Sequence, residues 1–241
     1  MYKKTTAVCL LAALVLLGAC NRNLREEAEM AITVLDIRGF PVVGANVTIY
    51  ANEEHWATEQ NPLQETALTD NSGKVSFFQL PSGTYFVDIQ RDSLNNWENK
   101  REVEIIATIY GFRNEEIFVL NNSRMGSLSA ASGRNWQLTD IQLAGESIKT
   151  QPGFECLRDS GLRFFKNGRY EVISGAITCP EDDNPANRQG LWRFNDQQTL
   201  LILQSQAGQV RELLLEDLSQ KRLKVGQNFN GILIDIIYEQ R

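Results

Sequence analysis

An all-β protein in two units, a sandwich followed by an antiparallel barrel, is what this sequence predicts. Three observations carry that reading. Short β-rich runs recur at regular spacing from Met30 to Leu120, punctuated by Gly, Pro, Asn and Asp turns. From Arg134 onward, alternating strands meet across successive hairpin signals, the strongest being Asn167-Gly168 between two apolar runs. No stretch of that second half carries a convincing amphipathic-helix period.

The elements follow in order. Residues 1–20 read Met-Tyr-Lys-Lys, an apolar run from Ala7 to Leu17, and then Leu17-Gly18-Ala19-Cys20. The run has about the length of a signal-peptide core and falls short of the roughly 20 residues a membrane span needs. An uncleaved anchor and an ordinary secretory signal with Cys20 incidental are the competing readings. The segment resembles a bacterial lipoprotein signal peptide ending in a lipobox. That resemblance implies removal of residues 1–19 and acylation of Cys20, palmitate included, since two or more chains hold a protein where one is marginal. The residue after the cysteine is Asn21, not the Asp that favours inner-membrane retention, which implies the outer membrane. Residues 20–29 form a polar tether. Its Glu26, Glu27 and Glu29 resemble a surface-export signal of Bacteroidetes lipoproteins, or simply keep the tether solvated.

The first unit spans 30–120. Strands are expected at 31–36, 42–50, 75–80, 85–89, 102–109 and 117–120, with turns at Arg38–Pro41, Asp70–Gly73 and Pro81–Gly83. Gly39, Gly73 and Gly83 stand where turns need a positive φ. Two strings, Val34-x-Asp36-x-x-Gly39-x-Pro41-Val42-x-Gly44-Ala45 and Thr69-Asp70-x-x-Gly73-x-Val75-x-Phe77-x-x-Leu80-Pro81-x-Gly83-x-Tyr85, resemble a carboxypeptidase regulatory-like domain. The resemblance implies a seven-stranded transthyretin-like sandwich that carries no catalytic residue. Residues 121–133 have linker composition.

The second unit spans 134–241. Trp136 opens an alternating strand. Leu162–Phe165 meets Tyr170–Ile173 across Lys166–Arg169, and further hairpins are expected at Asn195-Asp196, Ala207-Gly208 and Ser219-Gln220. The ordered landmarks Trp136, Cys156-x-x-Asp159, Leu162-x-Phe164, Asn167-Gly168-x-Tyr170, Cys179 and Gly190-x-Trp192 resemble the lipocalin-like domains of secreted Bacteroidetes proteins. Arg163 and Phe165, beside Phe164, depart from that pattern and leave the strand register open.

Charge narrows the partners. The chain carries a formal net charge of −6. The stretch from Cys20 to Ser132 has nine basic and sixteen acidic residues, whereas Gly133 to Arg241 is near neutral. An acidic first half argues against nucleic acid and against direct contact with anionic lipid. With Cys9 in the signal and Cys20 acylated, Cys156 and Cys179 are left as an even pair in an oxidising compartment, and a disulfide is expected. It would close a loop of about 24 residues and stabilise by about 3 kcal/mol.

Chemistry is sparse. His55 is the only histidine, and a metal site needs three or four convergent ligands, so an exposed loop histidine is expected. Glu181-Asp182-Asp183-Asn184 offers hard oxygen ligands but lacks calcium-loop spacing, and reads as a solvated turn. Trp56 and Trp97 sit in polar stretches and are expected to fold back on the sandwich rather than stack on a ligand. Asp92-Ser93-Leu94 resembles a Bacteroidetes O-glycosylation acceptor, with Ser93 the modified residue. No catalytic residue, metal or cofactor is expected.

The reading is a non-enzymatic, lipid-anchored protein of the outer membrane, on its periplasmic face or the cell surface, in which the sandwich displays the barrel. Small barrels hold one apolar ligand or fill with their own side chains. Nothing in the sequence marks a pocket, so a packed barrel serving as an interaction or structural module is expected. A carrier or sensor of a small hydrophobic ligand is the alternative, favoured by a void above ~300 Å³. A glycan-processing enzyme or accessory ranks third.

Overall fold

A computed structural model describes residues 27–108, 111–177, 179–180, 183–229 and 231–241. The signal segment, Cys20, most of the tether, Glu181 and Asp182 lie outside the described residues.

The first unit has eight strands: β1 (Ala28–Asp36), β2 (Asn46–Tyr50), β3 (Ala67–Leu68), β4 (Lys74–Leu80), β5 (Gly83–Arg91), β6 (Leu94–Asn95), β7 (Glu102–Ile105) and β8 (Phe112–Leu120). One sheet runs β4-β1-β8, the other β3-β2-β5-β6 with β7 also on β5. β1 pairs antiparallel with β4 but parallel with β8, so the two ends of the unit lie side by side. Met30, Ile32, Val34, Phe118 and Leu120 from one sheet meet Val47, Ile49, Val87 and Ile89 from the other in a single core.

The two turn signatures form as local hydrogen-bonding devices. Asp36 Oδ1 accepts from the backbone N–H groups of Arg38 and Phe40, and Asp70 Oδ1 does the same for Ser72 and Lys74. Gly73 has φ +70°, and a Cβ there would stand 2.5 Å from the Val34 carbonyl oxygen. The second strand is shorter than expected. Residues 42–45 leave the ladder because Thr69 Oγ1 takes the Ala45 N–H and donates to the Val42 carbonyl. A short helix, α1 (Glu53–Thr58), was not expected. Asn52 caps it by accepting from His55 N, and Glu59 ends it at φ 53°.

The segment with linker composition is tied down rather than loose. Ser123 caps α2 (Arg124–Leu128), and Leu128 is buried in the core of the second unit. The indole of Trp136 donates to the Leu128 carbonyl at 2.8 Å.

The second unit comprises β9 (Arg134–Leu143), β10 (Glu146–Ser147), β11 (Gly161–Phe164), β12 (Arg169–Ile173), β13 (Gln189–Phe194), β14 (Leu200–Ser205), β15 (Val210–Leu218), β16 (Arg222–Phe229) and β17 (Ile232–Gln240). Apart from β10, these strands close an eight-stranded antiparallel barrel, since β17 returns to β9 with Ile236 opposite Ile141. The tight hairpins fall where Asn, Gly and Ser predict them. Asn195 Oδ1, for example, accepts from the N–H groups of Thr199 and Leu200. The register question at β11 resolves simply. Leu162 and Phe164 point into the barrel, and Arg163 points out, its Nε donating to Asn135 Oδ1 at 2.6 Å.

Candidate binding cavity of the barrel

An up-and-down barrel places alternate connections at opposite ends. The β11–β12, β13–β14 and β15–β16 turns lie at the end facing the first unit. The β12–β13, β14–β15 and β16–β17 connections, with the long 148–160 segment, lie at the far end. The two ends are filled differently. Near the first unit, Phe164, Tyr170 and Trp192 pack with Leu201, Leu203 and Leu128. The ring of Trp192 stands edge-on between Phe164 and Phe194, at centroid distances of 5.8 and 5.5 Å. Here the expected packed interior is found.

The far end is not filled. A cavity of about 590 Å³ runs from the β16–β17 turn down to Leu138 and Tyr238. Ile234 and Ile236 form one wall, Ile148, Phe154 and Leu157 another, and Phe229 and Ile232 stand at the rim. The volume falls within the range that holds drug-sized ligands. A hollow of similar size over Gln137, Lys149, Arg158 and Arg241 is open and mainly polar. The barrel cavity therefore has mainly apolar walls; its deeper lining, Leu138, Ile234, Ile236 and Tyr238, belongs to the packed core, and the packed interior expected gives way only toward the mouth. Residues of the β9–β11 segment and, from the β12–β13 connection, Cys179 and Pro180 line the cavity.

Cys156 and Cys179 are bonded to one another and line this cavity. Cys156 lies in a short 3-10 turn, Glu155–Leu157, in the long connection, and Cys179 follows β12. The bond joins the long β9–β11 connection to the β12–β13 connection at the cavity.

Of the described residues lining the cavity, Arg211 alone is charged. It belongs to the inward row of β15, which continues through Leu213 and Leu215. Its guanidinium has no hydrogen bond or ion pair among the described residues. Tyr238 is buried, and that burial pushes its phenol up to about 12, with the positive charge of Arg211 opposing the rise. Gln227 completes the polar lining with Gln151.

A second arrangement joins the units. Lys166, from the β11–β12 turn, is fully buried in the first unit. Its Nζ lies 2.8 Å from Asp88 Oδ2 and 3.1 Å from Glu59 Oε1. It also stands 4.2 Å from the ring centre of Trp56 and 4.3 Å from that of Trp97. The Trp97 indole donates to the other oxygen of Asp88 at 2.7 Å. Burial pushes the Tyr50 phenol nearby up to about 12, helped by the negative charges of Asp88 and Glu59. Trp56 and Trp97 are thus neither exposed nor merely folded back; they enclose a cation from the other unit.

The other residues singled out in the sequence stand apart. His55 is partly exposed on α1, its ring 3.4 Å from the Asn52 amide, and no group of three potential metal ligands occurs among the described residues. Asn184 caps the 3-10 turn Pro185–Asn187. Ser93 sits in the two-residue turn joining β5 and β6, next to Asp92 at φ 54°. No helix among the described residues is long and apolar enough to cross a membrane.

No protein-family profile matches the chain, and no curated protein does. Among solved structures, a D295N mutant of the shaft pilin SpaA from Lactobacillus rhamnosus GG is similar at TM-score 0.27 and 10% identity, covering 61% of this chain and 93% of that one. The major pilin subunit BcpA of Bacillus cereus is similar at TM-score 0.31 and 7% identity, covering 88% and 95%. The Bacillus anthracis TIE protein is similar at 0.30 and 11%, covering 90% and 48%. Likenesses at this level bear on neither the fold nor the activity of this chain.

Proposed function

We propose that this protein is a lipid-anchored component of the cell envelope whose barrel carries or senses a small hydrophobic molecule. The single observation behind carriage is the apolar cavity of about 590 Å³ at the end of the barrel remote from the first unit. Burial of a ligand's apolar surface there would be worth roughly 25 cal/mol per Å² before the costs of association are set against it. Anchoring at Cys20, a transthyretin-like role for the sandwich and a lipocalin-like one for the barrel complete the reading. The first unit, with its end-to-end pairing of β1 and β8, serves as the stand that holds the cavity away from the bilayer. The outer membrane is the location this favours, and Ser93, in an accessible turn, is the position at which a glycan would attach.

Titration with the neutral dye Nile red tests carriage. A saturable fluorescence rise at one dye per chain is expected. Ile234→Trp, which fills the void, should abolish that rise while the melting temperature holds. A wild-type chain that leaves the dye dark would end the proposal. For the anchor, Cys20→Ser should move the protein from the membrane pellet to the soluble fraction; a variant that stays in the pellet excludes lipid as the tether.

A further inference from the structure

We infer that the ligand of the cavity is an amphiphile with an anionic head, a fatty carboxylate in chemical class, and that Arg211 pairs with that head. The inference rests on the cavity being a binding site.

Three observations lead there. Arg211 is half-buried on the inward row of β15 and lines the apolar cavity, where a cation is matched best by an anionic group. Glu29, Asp36, Asp88, Glu171 and Asp235 each pair with a basic side chain elsewhere in the fold, yet none of the described acids reaches Arg211. The cavity that Arg211 lines is otherwise walled mainly by apolar side chains, Phe229, Ile232, Ile234 and Ile236 among them, with the amides of Gln151 and Gln227 and the phenol of Tyr238. The site therefore offers a planar cation with five donors, two amides and one phenol against apolar walls. That set matches a carboxylate, which guanidinium can grip with two parallel hydrogen bonds. The walls match a saturated chain.

The phenol of Tyr238 supports the assignment. Burial keeps it protonated far above neutral pH, so it adds a donor to the site and no negative charge that would repel the head.

The test is calorimetry on the full chain carrying Cys20→Ser, with dodecanoate and dodecanol as paired probes. Dodecanoate should bind about tenfold or more tightly than dodecanol, the gain typical of a charge-assisted hydrogen bond. Arg211→Leu should erase that preference by weakening dodecanoate binding, with the melting temperature kept. Arg211→Lys should restore part of it. Equal affinity of the two probes in the wild type, or an unchanged preference in Arg211→Leu, overturns the inference and leaves carriage standing. Failure of both probes to bind overturns carriage as well.

Discussion

Lys166 has a buried side chain whose ammonium is held between two carboxylates and two indoles. Removing the ammonium leaves Asp88 buried and without its cation, a change that costs about 3–5 kcal/mol in comparable sites. Lys166→Ala should therefore lower stability by that order in urea unfolding. The double variant Lys166→Met, Asp88→Leu should recover only part of it, because the buried Asp88 charge is gone but the Trp97 indole loses its acceptor. At Gly73 the argument is steric: a Cβ would press on the Val34 carbonyl at a backbone angle that L-residues avoid. Neither consequence was legible in equal measure. Gly73 announced itself through Asp70-Asn71-Ser72-Gly73, a turn written locally. Lys166 did not, because Lys-Asn-Gly-Arg at a hairpin tip reads as four solvated residues. Only the docking of one unit on the other buries the first of them. Arg211 lies between these cases. Its alternation with Leu213 and Leu215 is visible in the sequence, but its meaning depends on which face of β15 turns inward.

Among the elements, hairpins were legible and long-range pairings were not. Asn167-Gly168, Asn195-Asp196, Ala207-Gly208 and Ser219-Gln220 all mark turns, because Asn, Gly and Ser satisfy the tight backbone on their own. The parallel alignment of β1 with β8 has no local signature, since its partners are more than eighty residues apart. Helix α1 escaped notice because six residues span less than two turns, too few for a hydrophobic period. The disulfide is an element-scale device. Its two cysteines are separated by 23 residues in sequence, which corresponds to about 3 kcal/mol of chain-entropy stabilisation. The Cys156→Ser, Cys179→Ser variant should lose roughly that much. It should also bind Nile red more weakly, because both residues line the cavity. A variant with reduced stability and unchanged dye affinity would show that the bond does not shape the rim.

For the whole molecule, pH dependence follows from where carboxylates sit. The backbone N–H of Phe40, with Arg38, holds Asp36 below the usual carboxylate range, and the N–H groups of Lys74 and Ser72 do the same for Asp70. A carboxyl depressed in the folded state stabilises it above the ordinary value near 4, and that contribution is lost as pH falls through the folded value. Stability should thus hold from neutrality to about pH 4 and then decline. The variant Asp36→Asn, Asp70→Asn keeps the acceptor oxygens but not the charge. Its denaturation midpoint should fall less between pH 5 and pH 3 than that of the wild type. On the alkaline side, Lys224 is raised by Asp235 and Glu216. Its contribution is complete below the ordinary lysine value and disappears as pH rises through the folded one.

The barrel is sealed at one end and open at the other. Leu128 and the rings of Trp136, Phe164 and Trp192 close the floor, with the first unit fastened beneath by Lys166 and by the hydrogen bond from Arg124 to the Gln198 carbonyl. A molecule held inside can leave only by the way it came. Such a vessel cannot act as a conduit that passes cargo through itself toward the membrane. On the proposed carriage, loading and unloading would both happen at the rim, and any receiver of the ligand would have to meet that rim face on. Under that proposal, delivery would depend on which surface the open mouth is turned toward.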